Sequence, residues 1–356
     1  MKDKKGKRKN RLTRYVCASL FFLFPFSFFN NAQAQVAGLN TLTVLDLSST
    51  ARTAGLGFDY LSFYGDDLTV GIDNPSLLRS TMGGTGVMSL VPMFSGSSMG
   101  SLTYAHTFNR LGTISFGFHY MAYGRFEEYD EEENHLGDFS AGDYGLTIGW
   151  GLWLDSNFSV GANFKPVLSQ YESYTAFAVA FDVAASYVSD SRAFAATVMA
   201  RNIGAQIVTF DETIESLPFE LSAELSYKLQ RAPFRIYFAA TELQLWNLRY
   251  DDPLQPTSTV DPFTGEVTEE EWLTGVFDNL MRHTQFGVEL NLGTSLFARL
   301  GYSWRQTAEM RGVDAFNLSG FSFGLGFRSR HFEFSYARRN YHLGQAPNYL
   351  TLSYRF

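Results

Sequence analysis

Six histidines are the side chains best suited to acid–base or metal chemistry near neutral pH, and they are scattered: His106, His119, His135, His283, His331 and His342, one to a segment. None stands in an HExxH pair, which would place two imidazoles on one helix face, or beside a serine that it could activate. His119 shares a strand face with Ser115 and Gly117 and so points into whatever interior that strand lines. A hydrogen-bonded interior histidine needs far fewer partners than a catalytic triad, and no catalytic residue is assigned. The densest set of potential ligands is acidic: Glu127, Glu128, Asp130, Glu131, Glu132, Glu133 and Asp138. Calcium is one occupant such carboxylates could take, but calcium loops fix their ligands on a defined turn, and none is evident here. The run is read as a solvated acidic loop, with no metal assigned. Gly320 to Gly326 lacks the lysine and helix of a phosphate loop, and no cofactor is expected.

With no chemistry to position, the elements themselves carry the reading. The chain opens with a basic stretch, Lys2 to Arg14, then an apolar run from Val16 to Phe29, then Ala32-Gln33-Ala34. This is the pattern of a secretory signal peptide over residues 1–34, with Gln35 the first mature residue. The run of about 14 apolar residues is short of the roughly 20 that a membrane-crossing helix needs. Cys17 lies inside the run, away from the small-residue site, so no lipoprotein anchor is expected and the mature chain has no thiol. Eight of the 28 basic residues and one of the 36 acidic ones precede Gln35, which leaves a net charge of −15 on the remainder. Nucleic acid is not an expected partner for so acidic a chain.

At the other end, Tyr349 to Phe356 alternates strictly, with Leu350, Leu352, Tyr354 and Phe356 on one face. A long strand at a terminus leaves an open hydrogen-bonding edge, which a barrel removes by pairing last strand to first. Leu352, Tyr354 and Phe356 are read as the closing-strand signal of an outer-membrane barrel. The same alternation recurs: Ile114, Phe116, Phe118 and Tyr120 oppose Ser115, Gly117 and His119, and Phe286, Val288, Leu290 and Leu292 oppose Gln285, Gly287, Glu289 and Asn291. Further strands are expected at 85–93, 98–107, 143–154, 157–171, 174–189, 192–202, 219–230, 233–246, 296–306, 321–328 and 331–339. The count is about 14, and the even number suits a single-chain transmembrane antiparallel β-barrel. An apolar face turned to lipid and a small or charged face turned to the lumen fit that class better than a soluble sandwich or lipocalin-like barrel, which hides its apolar face. The fold expected is all-β: a barrel over 84–356 in outer-membrane lipid, preceded over 35–83 by a partly helical plug. In the plug, Pro75 suits a first helical turn, with Asn74 or Asp73 placed to cap it.

One further connection is long. Residues 249–282 are proline-rich and end in a stretch where Trp272, Val276, Phe277 and Leu280 recur at helical spacing. Trp272 and Phe277 are the candidate anchors of a partner-docking loop, the other reading being a disordered connection.

Several stretches resemble the PorQ proteins of the type IX secretion system. They include Ser49-Thr50-Ala51-Arg52 with Asn74-Pro75-Ser76-Leu77-Leu78, Gly137 to Tyr144, Gly161 to Pro166, Arg201 to Gln206, Leu217-Pro218-Phe219, Arg231 to Arg235, Arg282-His283 and Gly301-Tyr302. Their order and spacing carry the resemblance more than any one motif. Ser76 stands where that family has alanine, and Lys165-Pro166 puts a proline inside a strand, which implies an edge, bulge or rim. The resemblance implies a FadL-like barrel with Arg52, Asn74 and Pro75 in its plug, in the outer membrane of a diderm bacterium. It also implies a non-enzymatic role: anchoring a cell-surface attachment complex with a PorZ-like surface protein and PorV- and PorU-type subunits. The competing expectation is a FadL-like transporter or binder of hydrophobic small molecules, which calls for an apolar pocket beneath the plug.

Overall fold

Alternation with period two fixes which face of each strand meets lipid, and sequential hairpins fix the neighbours. The computed structural model describes residues 41–94, 96–211, 213–249, 258–260, 267–269, 272–310, 318–340 and 346–356. The expected signal peptide lies outside them. The strands are β1 (Thr85–Pro92), β2 (Ser98–Phe108), β3 (Gly112–Tyr129), β4 (His135–Trp153), β5 (Phe158–Tyr171), β6 (Tyr174–Val188), β7 (Phe194–Val208), β8 (Glu220–Lys228) and β9 (Phe234–Ala240). A separate small hairpin pairs β10 (Ser258–Val260) with β11 (Val267–Glu269). Then come β12 (Thr284–Leu292), β13 (Leu296–Ser303), β14 (Phe321–Arg328), β15 (Phe332–Arg339) and β16 (Asn348–Arg355). All but the small hairpin form one closed antiparallel barrel of fourteen strands, in sequence order with β9 beside β12. Pairing of β1 with β16, from Thr85↔Arg355 to Leu90↔Leu350, removes the open edge.

Leu102, Phe116, Phe118, Ile148, Phe164, Leu300, Phe323, Leu325, Leu350 and Leu352 are exposed on the outer wall, while Ser89, Thr103, Ser115, Asn163, Glu224, Glu289, Arg299 and Thr351 are buried on the inner one. This inside-out distribution is the one a lipid environment demands. Among the described residues no helix is long and apolar enough to cross a membrane, so crossing falls to the strands.

The wall is uneven. β3 to β7 are 14 to 19 residues long, whereas β8, β9 and β12 to β16 are only 7 to 9. Connections at the end holding Thr85 and Arg355 are short turns, and every long connection lies at the opposite end. There α3 (Trp272–Arg282) follows the β9 connection and α4 (Trp304–Glu309) follows β13. The plug, residues 41–83, holds α1 (Ala51–Leu56), α2 (Leu68–Asp73) and 3-10 turns at Thr43–Asp46, Pro75–Leu77 and Ser80–Met82.

Several expected boundaries change. The acidic run is not a loop: β3 and β4 continue through it as one tall hairpin, with Glu127 opposite Asp138 and a turn at Asp130–Asn134. Above the lipid both faces of a hairpin are wet, so carboxylates do not interrupt the ladder. β9 stops at Ala240 and not near 246, and β13 stops at Ser303, whose Oγ accepts from the Gln306 amide and starts α4. Pro166 is at neither rim nor edge: it sits mid-strand in β5, where the β4–β5 ladder is interrupted between Gly145↔Val167 and Ile148↔Phe164.

Candidate functional site: the seam between plug and barrel

The plug is seated by short contacts that its small residues permit. Thr50 Oγ1 accepts from the Thr53 amide at the start of α1, and Gly57, at φ 73°, ends it. Ala51, Ala54 and Gly55 let this helix lie against the inner faces of β12 to β16. At Gly301 of β13 two backbones meet, for a Cβ there would stand 1.8 Å from the Leu56 carbonyl oxygen. The Ala51 amide donates to Thr351 Oγ1 at 2.8 Å, and Thr351 in turn pairs with Ser89 Oγ, which ties plug, last strand and first strand together.

Arg52 projects from α1 into a buried cluster and is 1% exposed. Its Nε lies 2.7 Å from Asp67 Oδ2, Nη1 donates to Glu289 Oε2 at 2.8 Å and Nη2 to Glu333 Oε1 at 3.1 Å. Arg299 Nε donates to the same Glu289 oxygen at 2.8 Å, and Arg328 Nε to Glu333 Oε2 at 2.6 Å. Three guanidinium groups thus face three carboxylates, with a fourth guanidinium, that of Arg235, 4.7 Å from the Phe63 ring; all of these groups but Arg328, whose side chain is 43% exposed, are shielded from water. The Phe63 and Phe297 rings stand 5.1 and 5.5 Å from the Arg52 guanidinium carbon. The barrel partners of Arg52, Glu289 and Glu333, are 237 and 281 residues distant in sequence, and sequence analysis did not pair them with it. The available signal is a lone charge at an inward position of an otherwise apolar-alternating strand, as Glu289 is between Val288 and Leu290.

Asn74 does not cap the following turn with its side chain, contrary to expectation. Nδ2 donates instead to Leu61 O at 3.0 Å and to Thr197 Oγ1 at 3.1 Å on β7. Ser76 Oγ donates to Asn74 Oδ1 at 2.6 Å and pairs with Ser186 Oγ on β6. Serine at this position is therefore used, where alanine would remove the donor to Asn74 Oδ1 and leave Ser186 with Thr197 alone. Pro75 presses its backbone on Gly161 of β5, where a Cβ would fall 2.3 Å from the Pro75 carbonyl carbon.

A third contact zone borders a cavity of about 70 Å³. Leu45, Ile72 and Met99 give it apolar walls, and His119, Lys165 and Arg201 give it polar ones. Lys165 Nζ is 2.7 Å from Asp182 Oδ1, Arg201 Nη1 donates to Glu220 at 3.1 Å, and Asn202 Nδ2 reaches Asp46 Oδ1 of the plug at 3.0 Å. Asn202 adopts φ 56° beside a register shift between β6 and β7, which turns its side chain toward the plug. Asp73 also borders this cavity. Burial pushes its carboxyl up to about 6, while the Ser49 hydrogen bond at 2.8 Å and Arg201 pull the other way. Leu146, at the interrupted β4–β5 ladder, is part of the same lining.

The remaining candidate residues lie apart from this seam. Leu352, Tyr354 and Phe356 are exposed on the outer wall, with Phe356 edge-on to Tyr104 and its amide donating to Gly84 O. The side chain of Trp272 lies outside the described residues, and Phe277 is exposed on α3 with its ring 6.3 Å from that of Trp304. In the acidic hairpin Asp130 accepts from the Glu132 and Asn134 amides and from Asn134 Nδ2, so its carboxylate fixes the turn. Among the described residues no group of three or more acidic, histidine or cysteine side chains is placed to hold a metal ion.

A closed fourteen-stranded barrel with an apolar outer wall and a plug in its lumen defines an outer-membrane barrel protein. No protein-family description matches the sequence, and no curated protein matches it. Among solved structures, the toluene transporter TodX of Pseudomonas putida is similar over 88% of this chain and 100% of its own, at 13% identity and a TM-score of 0.51. The monoaromatic hydrocarbon channel CymD shares 12% identity over 89% of this chain and 99% of its own, with a TM-score of 0.48. A FadL homologue of Pseudomonas aeruginosa shares 9% over 87% and 99%, with a TM-score of 0.45. The fold is FadL-like, as expected; these likenesses do not bear on type IX secretion.

Proposed function

We propose that this chain is an outer-membrane passage or binding protein for small apolar molecules, held closed by its plug. The observation that carries the reading is the mixed cavity at the plug seam, directly behind the place where Pro166 interrupts the β4–β5 ladder. A wall whose hydrogen bonds are interrupted is the part that parts most easily, and the likeness to a toluene transporter names a class of molecule to try there. At about 70 Å³ the cavity is smaller than the roughly 150 Å³ apolar cavity known to admit benzene, so occupancy requires the plug to shift. The test is uptake of a labelled alkylbenzene, and separately of a long-chain fatty acid, by whole cells of a host stripped of its own such channels. Expression of the protein should raise uptake of at least one; inserted barrel with uptake no higher than the empty host would sink the reading.

The second reading is a non-catalytic membrane platform for a cell-surface complex of the type IX kind, with PorZ-, PorV- and PorU-like proteins as partners. It draws on the tall acidic hairpin of β3 and β4, whose strands run well past the rest of the wall, and on a lumen latched shut by buried ion pairs. A mild-detergent pull-down from outer membranes, with mass spectrometry of proteins and lipids, separates the two. A stoichiometric exported protein without ligand favours the platform, and a barrel alone carrying an apolar molecule favours passage.

A further inference from the structure

Helix α3 is built inside out. Leu273, Val276, Phe277 and Leu280 fall at i, i+3, i+4 and i+7 and share one face, and they are 68, 44, 56 and 59% exposed. The opposite face is the polar one and is fastened to the segment that follows β9 and to α4. Asn279 Oδ1 accepts from the Leu248 amide at 2.8 Å and its Nδ2 donates to Trp246 O at 2.6 Å. Asp278 accepts from Trp304 Nε1 at 3.0 Å and from Arg282 Nε at 2.8 Å. His283, just after the helix, is held by the carbonyls of Thr241 and Trp246. A helix at a water-facing rim would be fastened the other way round, apolar face inward.

The helix stands on the short-stranded side of the wall. β9, β12 and β13, which lead into and out of this corner, are 7, 9 and 8 residues long, whereas a tilted strand needs about 9–11 to cross the hydrocarbon core. The apolar face of α3 also continues the outer wall without a break. Phe277 meets Trp304 at 6.3 Å, Trp304 meets Tyr302 at 6.5 Å, and Tyr302 meets Phe321 at 4.8 Å, the last two being cross-strand neighbours on the lipid side of β13 and β14.

We infer that α3 lies in the plane of the outer leaflet, with Leu273, Val276, Phe277 and Leu280 in the acyl region, and completes the apolar belt above the short strands. The occupant of this face is lipid and not a protein partner, which assigns Phe277 to the membrane whichever function the lumen serves. An in-plane helix with aromatic residues at its lower flank is a stable interfacial arrangement.

The test places single nitroxide labels, in a Cys17→Ser background, at Leu273, Leu280 and Thr274 of the full chain, with Leu325 of the outer wall as lipid reference. The protein is reconstituted into vesicles of a single phosphatidylcholine, and collision rates with oxygen and with a water-soluble nickel chelate are measured. The oxygen-to-nickel ratio at Leu273 and Leu280 should approach that at Leu325 and exceed that at Thr274 several-fold. Ratios at Leu273 and Leu280 equal to that at Thr274 would overturn the inference. Protection seen only in native outer-membrane fragments, and not in lipid alone, would overturn it in favour of a protein occupant.

Discussion

Arg52 is one side chain satisfying three carboxylates from three segments, Asp67 of the plug, Glu289 of β12 and Glu333 of β15. Removing it leaves buried charge without compensation, which costs about 3–5 kcal/mol where a single buried pair is broken. Arg52→Met should therefore release the plug, read as faster proteolysis within residues 41–83 while the heat-dependent gel shift of the folded barrel persists. Arg52→Lys should recover only part of the loss, because one ammonium cannot copy a planar fork aimed at three acceptors. Pairing Arg52→Met with Asp67→Asn should recover part of it by another route, since Asp67 is the carboxylate whose ion pair is lost while Glu289 keeps Arg299 and Glu333 keeps Arg328. Equal proteolysis of wild type and Arg52→Met would show that the latch does not hold the plug.

Helices and strands meet here as bare backbone, so the plug's fit depends on hydrogen atoms where side chains would stand. Gly301→Ala and Gly161→Ala each drive a methyl into main-chain atoms of the plug, at 1.8 Å and 2.3 Å, and neither neighbour is a flexible side-chain end. Overpacking of this kind costs about 1–3 kcal/mol or more; both variants should loosen the plug in the same proteolysis assay, and Gly137→Ala, with nothing within 4 Å, should not. Asp73 adds a pH dependence. Its carboxyl is raised from 3.8 to about 6 by burial, against Ser49, Thr53 and Arg201 beside it, with Asp59 reinforcing the rise. The docked plug then holds a proton that the released plug sheds, so docking weakens as pH rises from about 4 through 6. Proteolysis should be slower at pH 4.5 than at pH 7, and Asp73→Asn should reduce that difference, the remainder coming from Asp46, which burial raises to about 7. These elements also show what the sequence could and could not disclose. Alternation made the fourteen strands readable, and Pro75 marked a turn. Pattern alone offers Asn74 or Asp73 as a cap, whereas the Asn74 side chain donates to Leu61 O within the plug and to Thr197, 123 residues away, which enters only with the register of β7. The acidic strands around Asp130 read as a loop in sequence because carboxylates disfavour strands on average, yet not where hairpin and solvent meet on both faces.

For the whole molecule the question is what the fourteen strands do without their plug. Closure of β1 on β16 and the thirteen sequential pairings use main-chain hydrogen bonds that no plug residue supplies, and the lipid-facing residues are outward whether or not the lumen is filled. The inner face, by contrast, is mixed: Ser89, Thr103, Lys165, Asp182, Glu224, Arg235 and Arg299 alternate there with small or apolar residues such as Ala105, Ala178, Met99 and Val167. Stripped of residues 41–83, that face has no apolar partner to collapse upon, and water fills it as it fills the polar lumen of a porin. Full-length protein in a planar bilayer should thus be electrically silent, because the plug occupies the lumen and its charges are paired. The variant lacking 41–83 should insert and conduct steadily, with weak ion preference since acidic and basic side chains share the wall. The Arg52→Met variant should flicker between the two levels, because its barrel is unchanged and only the latch is lost. A plug-deleted barrel that inserts but stays silent would mean that the strands close on one another, and that the plug shapes the lumen and does not merely stop it.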